Sequence, residues 1–286
     1  MLKEFIFIFL FACFTGCFGS IVGIGGGVIY VPVLTLVFRF PIHQAISASL
    51  VGSMSTSITS AASYLKQKIT NLRLGIFLLV FTTTGAVVGA SIAVLMREWI
   101  LCIIFSGLIV FVLLAPFIAR TKKAGESSGD ALSRYLGIDG TYYDRALKRD
   151  VEYRGTGLLK GGTLAALAGM ASGMLGISGG VINVPTMNSF MNIPIKVAVA
   201  TSQFMLGVTI ATSAIIYFFA RHINLYIVAP ISIGAILGSF IGTSVMNKLP
   251  AGVIRIIFTV ILVYLSYQML AKGILLGYHI TLPGLL

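Results

Sequence analysis

Apolar residues along this chain are gathered into long runs that hold almost no charge. Eight such runs cover residues 5–22, 45–65, 74–96, 99–119, 164–177, 197–220, 225–246 and 253–271. About 20 consecutive apolar residues span a bilayer as a helix, and most of these runs approach or exceed that length. The shortest, 164–177, reaches it if 157–162 joins the same helix, with Lys160 snorkelling toward the surface. The pattern predicts an all-α polytopic membrane protein.

Inside that pattern the chain repeats itself. Gly23-Ile24-Gly25-Gly26-Gly27-Val28-Ile29-Tyr30-Val31-Pro32 returns 153 residues later as Gly176-Ile177-Ser178-Gly179-Gly180-Val181-Ile182-Asn183-Val184-Pro185, with eight of ten positions identical. The register holds beyond the decapeptide. Pro41-Ile42 matches Pro194-Ile195, Ser49 matches Ser202, Tyr64 matches Tyr217, and Gly85-x-x-x-Gly89 matches Gly238-x-x-x-Gly242. The last pair has the small-residue spacing that lets membrane helices approach closely. We therefore expect two tandem structural repeats of about four transmembrane helices each. The first covers 1–119 and the second 157–286, joined by a connecting loop at 120–156. Each repeat carries a broken or re-entrant Gly-rich half-helix. The piece at 28–38 is too short to cross. It is either the second half of a broken span or a re-entrant half-helix beside a complete one. A hairpin of span plus half-helix would make the repeats inverted, as in many transporters.

Composition agrees. Residues are 57% hydrophobic and only 10% charged, against about 25% charged in soluble domains. Lys3 followed by an apolar run and Phe14-Thr15-Gly16-Cys17 has the outline of a signal peptide. The segment matches the helix before the second glycine cluster, so a retained span is expected. The net charge of +12 reports topology. Four full spans per repeat, with the 120–160 segment cytoplasmic, place 15 basic residues inside and five outside (Arg39, Arg97, Lys196, Lys248, Arg255). Cytoplasmic loops carry such an excess. On this reading the repeats are parallel and both termini are cytoplasmic, in a multi-pass protein of the cytoplasmic (inner) membrane. An inverted arrangement with Lys3, Arg39, Arg97, Arg221 and Lys272 inside and the basic loop outside runs against that bias. Within the loop, 122–130 reads as a Gly/Ser-rich linker, and the Tyr-rich stretch 134–154 as a small ordered element or a solvated connector.

The glycine clusters are the first candidates for chemistry. Neither Gly25-Gly26-Gly27 nor Ser178-Gly179-Gly180 is a phosphate loop, since no Gly-Lys-Ser/Thr follows. Each precedes a short apolar helix with Pro32 or Pro185 near its start, where a missing N–H is tolerated. Such a helix start offers free N–H groups and a positive dipole end, and glycine lets a ligand approach the backbone. Two of these facing each other would bind an anion; tight helix crossing is the plainer reading. The following helices are rich in hydroxyls, among which Ser47, Ser49, Ser202 and Gln203 lie nearest the clusters. Arg39, His43 and Lys196 flank the two prolines as cationic vestibule groups. No Asp or Glu falls within a span, which disfavours cation transport and a carboxylate proton relay. Neither a catalytic triad nor paired carboxylates point to an enzyme. Cys13, Cys17 and Cys102 lack nearby metal ligands and read as small hydrophobes. No cofactor, metal or nucleic-acid partner is expected.

The first decapeptide with Ala45-Ile46-Ser47-Ala48-Ser49 resembles the TauE/SafE family of sulfite exporters. The second copy, through Pro194-Ile195-Lys196-Val197-Ala198-Val199-Ala200-Thr201-Ser202, is similar to that family's C-terminal repeat. The resemblance covers essentially the whole chain, including the region of Tyr142-Tyr143-Asp144. It implies secondary transport of a small anionic sulfur compound, such as sulfite or a sulfonate like sulfoacetate. Membrane lipid is the other expected partner, and a homodimer is left open. A channel-like anion permease and a receptor signalling through the 120–156 loop are the alternative readings. Ser178 departs from the glycine triplet, so the two half-sites need not contribute equally.

Overall fold

The computed structural model describes residues 2–118, 131–144, 149–246 and 251–278. The predicted linker at 122–130 lies outside the described residues. The first half comprises α1 (Leu2–Val22), α2 (Gly27–Leu36), α3 (Ile42–Lys66), α4 (Leu72–Leu95) and α5 (Glu98–Ile118). A short helix α6 (Ala131–Leu136) and a hairpin of β1 (Gly140–Asp144) and β2 (Arg149–Tyr153) follow. The second half comprises α7 (Leu158–Leu175), α8 (Gly180–Pro185) with a π-helical turn (Thr186–Phe190), α9 (Ile195–Phe219), α10 (Leu225–Met246) and α11 (Ala251–Tyr278).

Among the described residues, five helices are long and apolar enough to cross a membrane: Glu4–Val22, Leu72–Leu95, Leu158–Leu175, Ile195–Phe219 and Leu225–Val245. Large apolar side chains such as Phe14, Val80, Leu167, Phe218 and Phe240 cover the outer surface, which suits a lipid solvent and not water. α3 is as long as α9 but carries nine serines and threonines and is correspondingly less apolar.

Contacts fix the direction of each helix. α2 turns back along α1: Tyr30 donates to the Ala12 carbonyl at 3.2 Å, and Phe38 meets Phe7 with ring centroids 5.7 Å apart. α1 and α2 thus form a re-entrant hairpin, and α3 begins at the end where α1 began. Ser47, early in α3, bonds the His222 carbonyl beyond the end of α9 at 2.8 Å. Asn71, beyond the end of α3, donates its N–H to Thr201 near the start of α9 at 3.0 Å. The two hydroxyl-rich helices are therefore antiparallel. So are α5 and α11, where Gly277 faces Trp99, Gly273 faces Cys102, and Ser266 meets Ser106 at 3.1 Å. By contrast α1 runs parallel to α10 and α4 parallel to α7. A Cβ added at Gly238 would overlap the Cys13 carbonyl, and one at Gly85 the Ala166 carbonyl. The paired small-residue faces do allow the close helix approach that the spacing predicted.

These directions correct the expectation of parallel repeats with four crossings each. A hairpin that returns to its own side adds no net crossing, so the remaining three helices give each half an odd number. The start of α1 and the end of α11 consequently lie at one end of the bundle and α6, β1 and β2 at the other, not all at one end. The prolines also sit deeper than expected. Pro32 is the sixth residue of α2 and Pro185 the last of α8. Each removes an interior hydrogen bond, and after Pro185 the helix widens, with Met191 donating to Thr186 five residues back at 3.2 Å.

The described parts of the Tyr-rich stretch, 134–144 and 149–154, form an ordered element that ties both halves together. Asn71 donates to the Ile138 carbonyl at 2.7 Å and to the Tyr153 hydroxyl at 3.0 Å. Arg73 reaches the Gly137 carbonyl at 3.2 Å. From the second half, Lys196 forms a 2.7 Å ion pair with Asp144, which is almost fully buried. Removing the cation leaves a buried carboxylate with a weaker set of partners, a loss of about 1.5–3 kcal/mol for a charged hydrogen bond. Lys196→Met is expected to speed trypsin cleavage at Arg149 by roughly tenfold or more, converting that loss to a rate. Unchanged cleavage would show that the pair does not hold the hairpin down.

Candidate functional site

The two glycine turns, entering from opposite ends, meet in the middle of the bundle. Gly25 sits beside Ser57, about two-thirds of the way along α3, while Gly180 packs on Leu206 in the middle of α9. Gly25 and Gly26 adopt φ of +65° and +89°, left-handed values that favour glycine because a Cβ would meet the following carbonyl. This conformation turns the chain sharply enough for α2 to descend beside α1. The approach between the halves is backbone to backbone. A Cβ at Gly27 would overlap the Gly176 carbonyl oxygen, and one at Gly180 would overlap that of Gly23. Ser178 donates to the Ile24 carbonyl, locking one turn onto the other.

Most sequence-predicted site residues converge here. Ser49 donates to the carbonyls of Gly176 at 2.8 Å and Gly27 at 3.3 Å. Its counterpart Ser202 donates to Gly23 at 3.4 Å. Gln203 donates through Nε2 to the Gly19 carbonyl at 3.0 Å. Gly25, Gly26, Gly27, Ser49, Ser178, Gly179, Gly180, Ser202 and Gln203 are all buried at this junction.

Four predicted residues lie elsewhere. Ser47 is one turn nearer the start of α3, bonded to Gln44 and His222. Arg39 and His43 belong to the terminus-bearing end, whereas Lys196 is at the hairpin end and is held by Asp144. The three cations therefore do not share one mouth. The antiparallel setting of α3 and α9 sends equivalent positions to opposite faces.

Around the turns stand polar atoms that find no hydrogen-bond partner. They are the hydroxyls of Thr15, Ser53, Ser57, Ser60 and Ser172, Oε1 of Gln203, and both side-chain polar atoms of Asn183. Ser57 Oγ and Ser178 Oγ bracket Gly25, lying 3.3 and 3.0 Å from where its Cβ would be. Hydroxyls in membrane helices ordinarily bond back to their own helix. Thr56, Ser55 and Thr59 do so, on Gly52, Val51 and Ser55. Ser53, Ser57 and Ser60 do not, although all three are fully buried. Their spacing puts them on one face of α3. In the sequence these hydroxyls are visible but lie farther from the glycine clusters than Ser47, Ser49, Ser202 and Gln203. The i, i+4, i+7 spacing was the signal available. Thr15, Ser172 and Asn183 were missed, since a lone polar residue in an apolar run carries no periodic mark.

The polar lining is uneven between the halves. Ser53 and Ser57 correspond by the repeat register to Leu206 and Ile210, and Gln203 corresponds to Leu50. The free hydroxyls and the Asn183 amide nitrogen next to the first turns of two helices can donate to an anion without a fixed counter-charge, whereas the free Gln203 oxygen can only accept.

Comparison with known proteins fixes the lineage. The family model described as sulfite exporter TauE/SafE matches residues 8–269. The chain belongs to the TauE/SafE family. Within it, the chain is 25% identical to the probable membrane transporter protein YunE of Bacillus subtilis (strain 168) over 280 residues. That alignment covers 95% of this chain and 99% of YunE. It is 22% identical over 242 residues to the probable membrane transporter protein YdhB of the same strain, covering 82% and 87%. No solved structure matches the chain. Family, relatives and apolar helices together make this TauE/SafE protein a multi-pass membrane transporter.

Proposed function

We propose that this protein is a secondary carrier for small sulfur-containing oxyanions, sulfite and short sulfonates such as sulfoacetate. The observation that carries the reading is the central junction, where two glycine turns meet among buried hydroxyl and amide groups without partners. An unpartnered buried polar atom costs about 1–3 kcal/mol, a cost relieved at the hydroxyls and at the Asn183 amide nitrogen when an oxyanion enters, and at the Gln203 and Asn183 oxygens when water does. Neutral donors suit a tetrahedral or pyramidal oxyanion that must also leave. Direct contact between the turns supports a carrier over an open pore, because passage requires the halves to part. The antiparallel helix pairs fit an inverted repeat that rocks about a central site. Export is taken from the family's description. Among the described residues, Lys66, Lys68, Arg73, Arg149, Arg154, Lys160 and Lys196 belong to the hairpin end, and Arg39, Arg97, Arg221 and Lys272 to the terminus end. The positive-inside rule then makes the hairpin end cytoplasmic and the termini external.

Counterflow in proteoliposomes tests the reading. Vesicles preloaded with unlabelled sulfite or sulfoacetate are expected to take up the labelled anion faster than empty ones, with saturation. Uptake equal to that of protein-free vesicles for every sulfur oxyanion tried would sink it.

A further inference from the structure

At the terminus-bearing end the halves are joined by two imidazoles. His43, at the start of α3, stacks on His222, just beyond α9, with ring centroids 4.9 Å apart and planes inclined by 22°. The Ser47 hydroxyl holds the His222 carbonyl at 2.8 Å. Both ring nitrogens of His43 face acceptors: Nε2 lies 3.3 Å from the Ala93 carbonyl and Nδ1 lies 3.9 Å from a Glu98 carboxylate oxygen. A neutral imidazole has one N–H and only the imidazolium has two, so the neutral ring can donate toward one of these oxygens at a time. A second proton on His222 would set two like charges face to face.

We propose that His43 and His222 form a proton-binding pair whose double protonation separates the two halves at the terminus-bearing end. The coupling ion of the carrier is then the proton, held by side chains rather than by the substrate. Charged and titratable neighbours set the balance. Glu98 on α5 favours protonation of His222; the same carboxylate also acts on Lys272 of α11, which has Arg39 and Cys102 as its other charged or titratable neighbours, and Tyr217 packs against the His222 ring. Lys272 is itself engaged, donating to the Thr35 carbonyl near the end of α2 at 2.7 Å.

The sign follows from linkage. Burial first, then His43, hold His222 below its ordinary value of 6.5 in this closed arrangement, with Glu98 opposing. Once apart, the ring regains its ordinary value and binds more protons. The closed contact is therefore favoured above that value and lost as pH falls through and below it.

Two arms test the pair in the full-length protein. Spin labels at Leu95 and Leu225, which are 88% and 76% exposed at this end, report the separation of the halves in a background with the native cysteines replaced. Between about pH 8 and pH 5.5, the range in which imidazoles titrate, the wild-type distance distribution is expected to shift to longer values. His43→Gln and His222→Gln should each remove the shift, and Glu98→Gln should move its midpoint to lower pH. A wild-type distance constant over this range, or a shift that survives both histidine substitutions, overturns the proposal. The second arm rests on the transport reading above. Methanesulfonate stays ionised throughout, so the substrate's own titration is absent. Its steady-state accumulation is expected to change about tenfold per unit of pH difference across the membrane for each proton carried, a dependence lost in His43→Gln. Should no sulfur anion be carried at all, the transport reading fails while the distance arm still decides the histidine pair.

Discussion

Gly27→Ala is expected to abolish transport and destabilise the protein, although it adds a single methyl group. The new Cβ would overlap the Gly176 carbonyl oxygen and lie 3.0 Å from the Ser178 nitrogen. Both are backbone atoms, so no rotamer change relieves the clash, and the turns must move apart. Overpacking of this kind costs about 1–3 kcal/mol, occasionally more. Here it also displaces Ser49, which bonds the carbonyls of Gly27 and Gly176 together. Sulfite counterflow should drop to background and the detergent-solubilised protein should melt earlier. Gly107→Ala supplies the control, because nothing lies within 4 Å of its added Cβ. Alanine is the better helix former by about 1 kcal/mol, so that variant should keep its flux and melting point. Equal behaviour of the two variants would show that the junction between the turns is not what the carrier needs.

The contrast between those glycines also marks how far the chain can be read without coordinates. Helix positions were legible because apolar runs in a bilayer have only one way to satisfy their backbone. The run at 74–96 became α4 (Leu72–Leu95) and that at 197–220 became α9 (Ile195–Phe219). Helix direction was not legible, for a countable reason. With the basic loop inside, parallel repeats place 15 basic residues on its side and five opposite. An inverted arrangement exchanges Lys3, Arg221 and Lys272 for Lys196, Lys248 and Arg255, which leaves the split unchanged. Charge therefore selects the side of the loop and is silent on the termini. The decisive information lay in which side chains reach which carbonyls, as with Tyr30 on Ala12 and Ser47 on His222.

The repeat made the centre of the site legible and its lopsidedness invisible. Ser49 and Ser202 were found because they match, and both bond the opposite half's glycine turn. Groups without a counterpart attract no attention in a repeat comparison, yet most of those left without partners are of this kind, Ser60 with its match Ser213 being the exception. Gln203 stands where the other half has Leu50, Ser57 where it has Ile210, and Asn183 where it has Tyr30. The matched Ser49 and Ser202 hold the two turns in contact, joined by Ser178, which stands where the other turn has Gly25. Unmatched ones give the junction its capacity to meet something polar.

That division predicts opposite signs for stability and transport. Ser57→Ala removes a fully buried hydroxyl that has no partner in this conformation, so a penalty of about 1–3 kcal/mol disappears with it. The melting temperature should hold or rise. Flux should fall by about tenfold, equivalent to the loss of one net hydrogen bond to an oxyanion of roughly 1.4 kcal/mol. Gln203→Leu extends the argument, since leucine is what the repeat register places at the matching position. It loses the 3.0 Å bond to Gly19, but that carbonyl already accepts from the N–H groups of Gly23, Ile24 and Gly25. It also removes the unpartnered Oε1. The double variant should thus fold at least as well as the parent and carry sulfite about tenfold more slowly, the loss tracing to Ser57, since the free Gln203 oxygen can only accept a hydrogen bond. A packing role would instead give lower stability together with unchanged flux in the molecules that remain folded. Thermal melts beside counterflow on the same preparations separate the two, because a polar group kept at a cost to the resting fold must act in another state of the cycle.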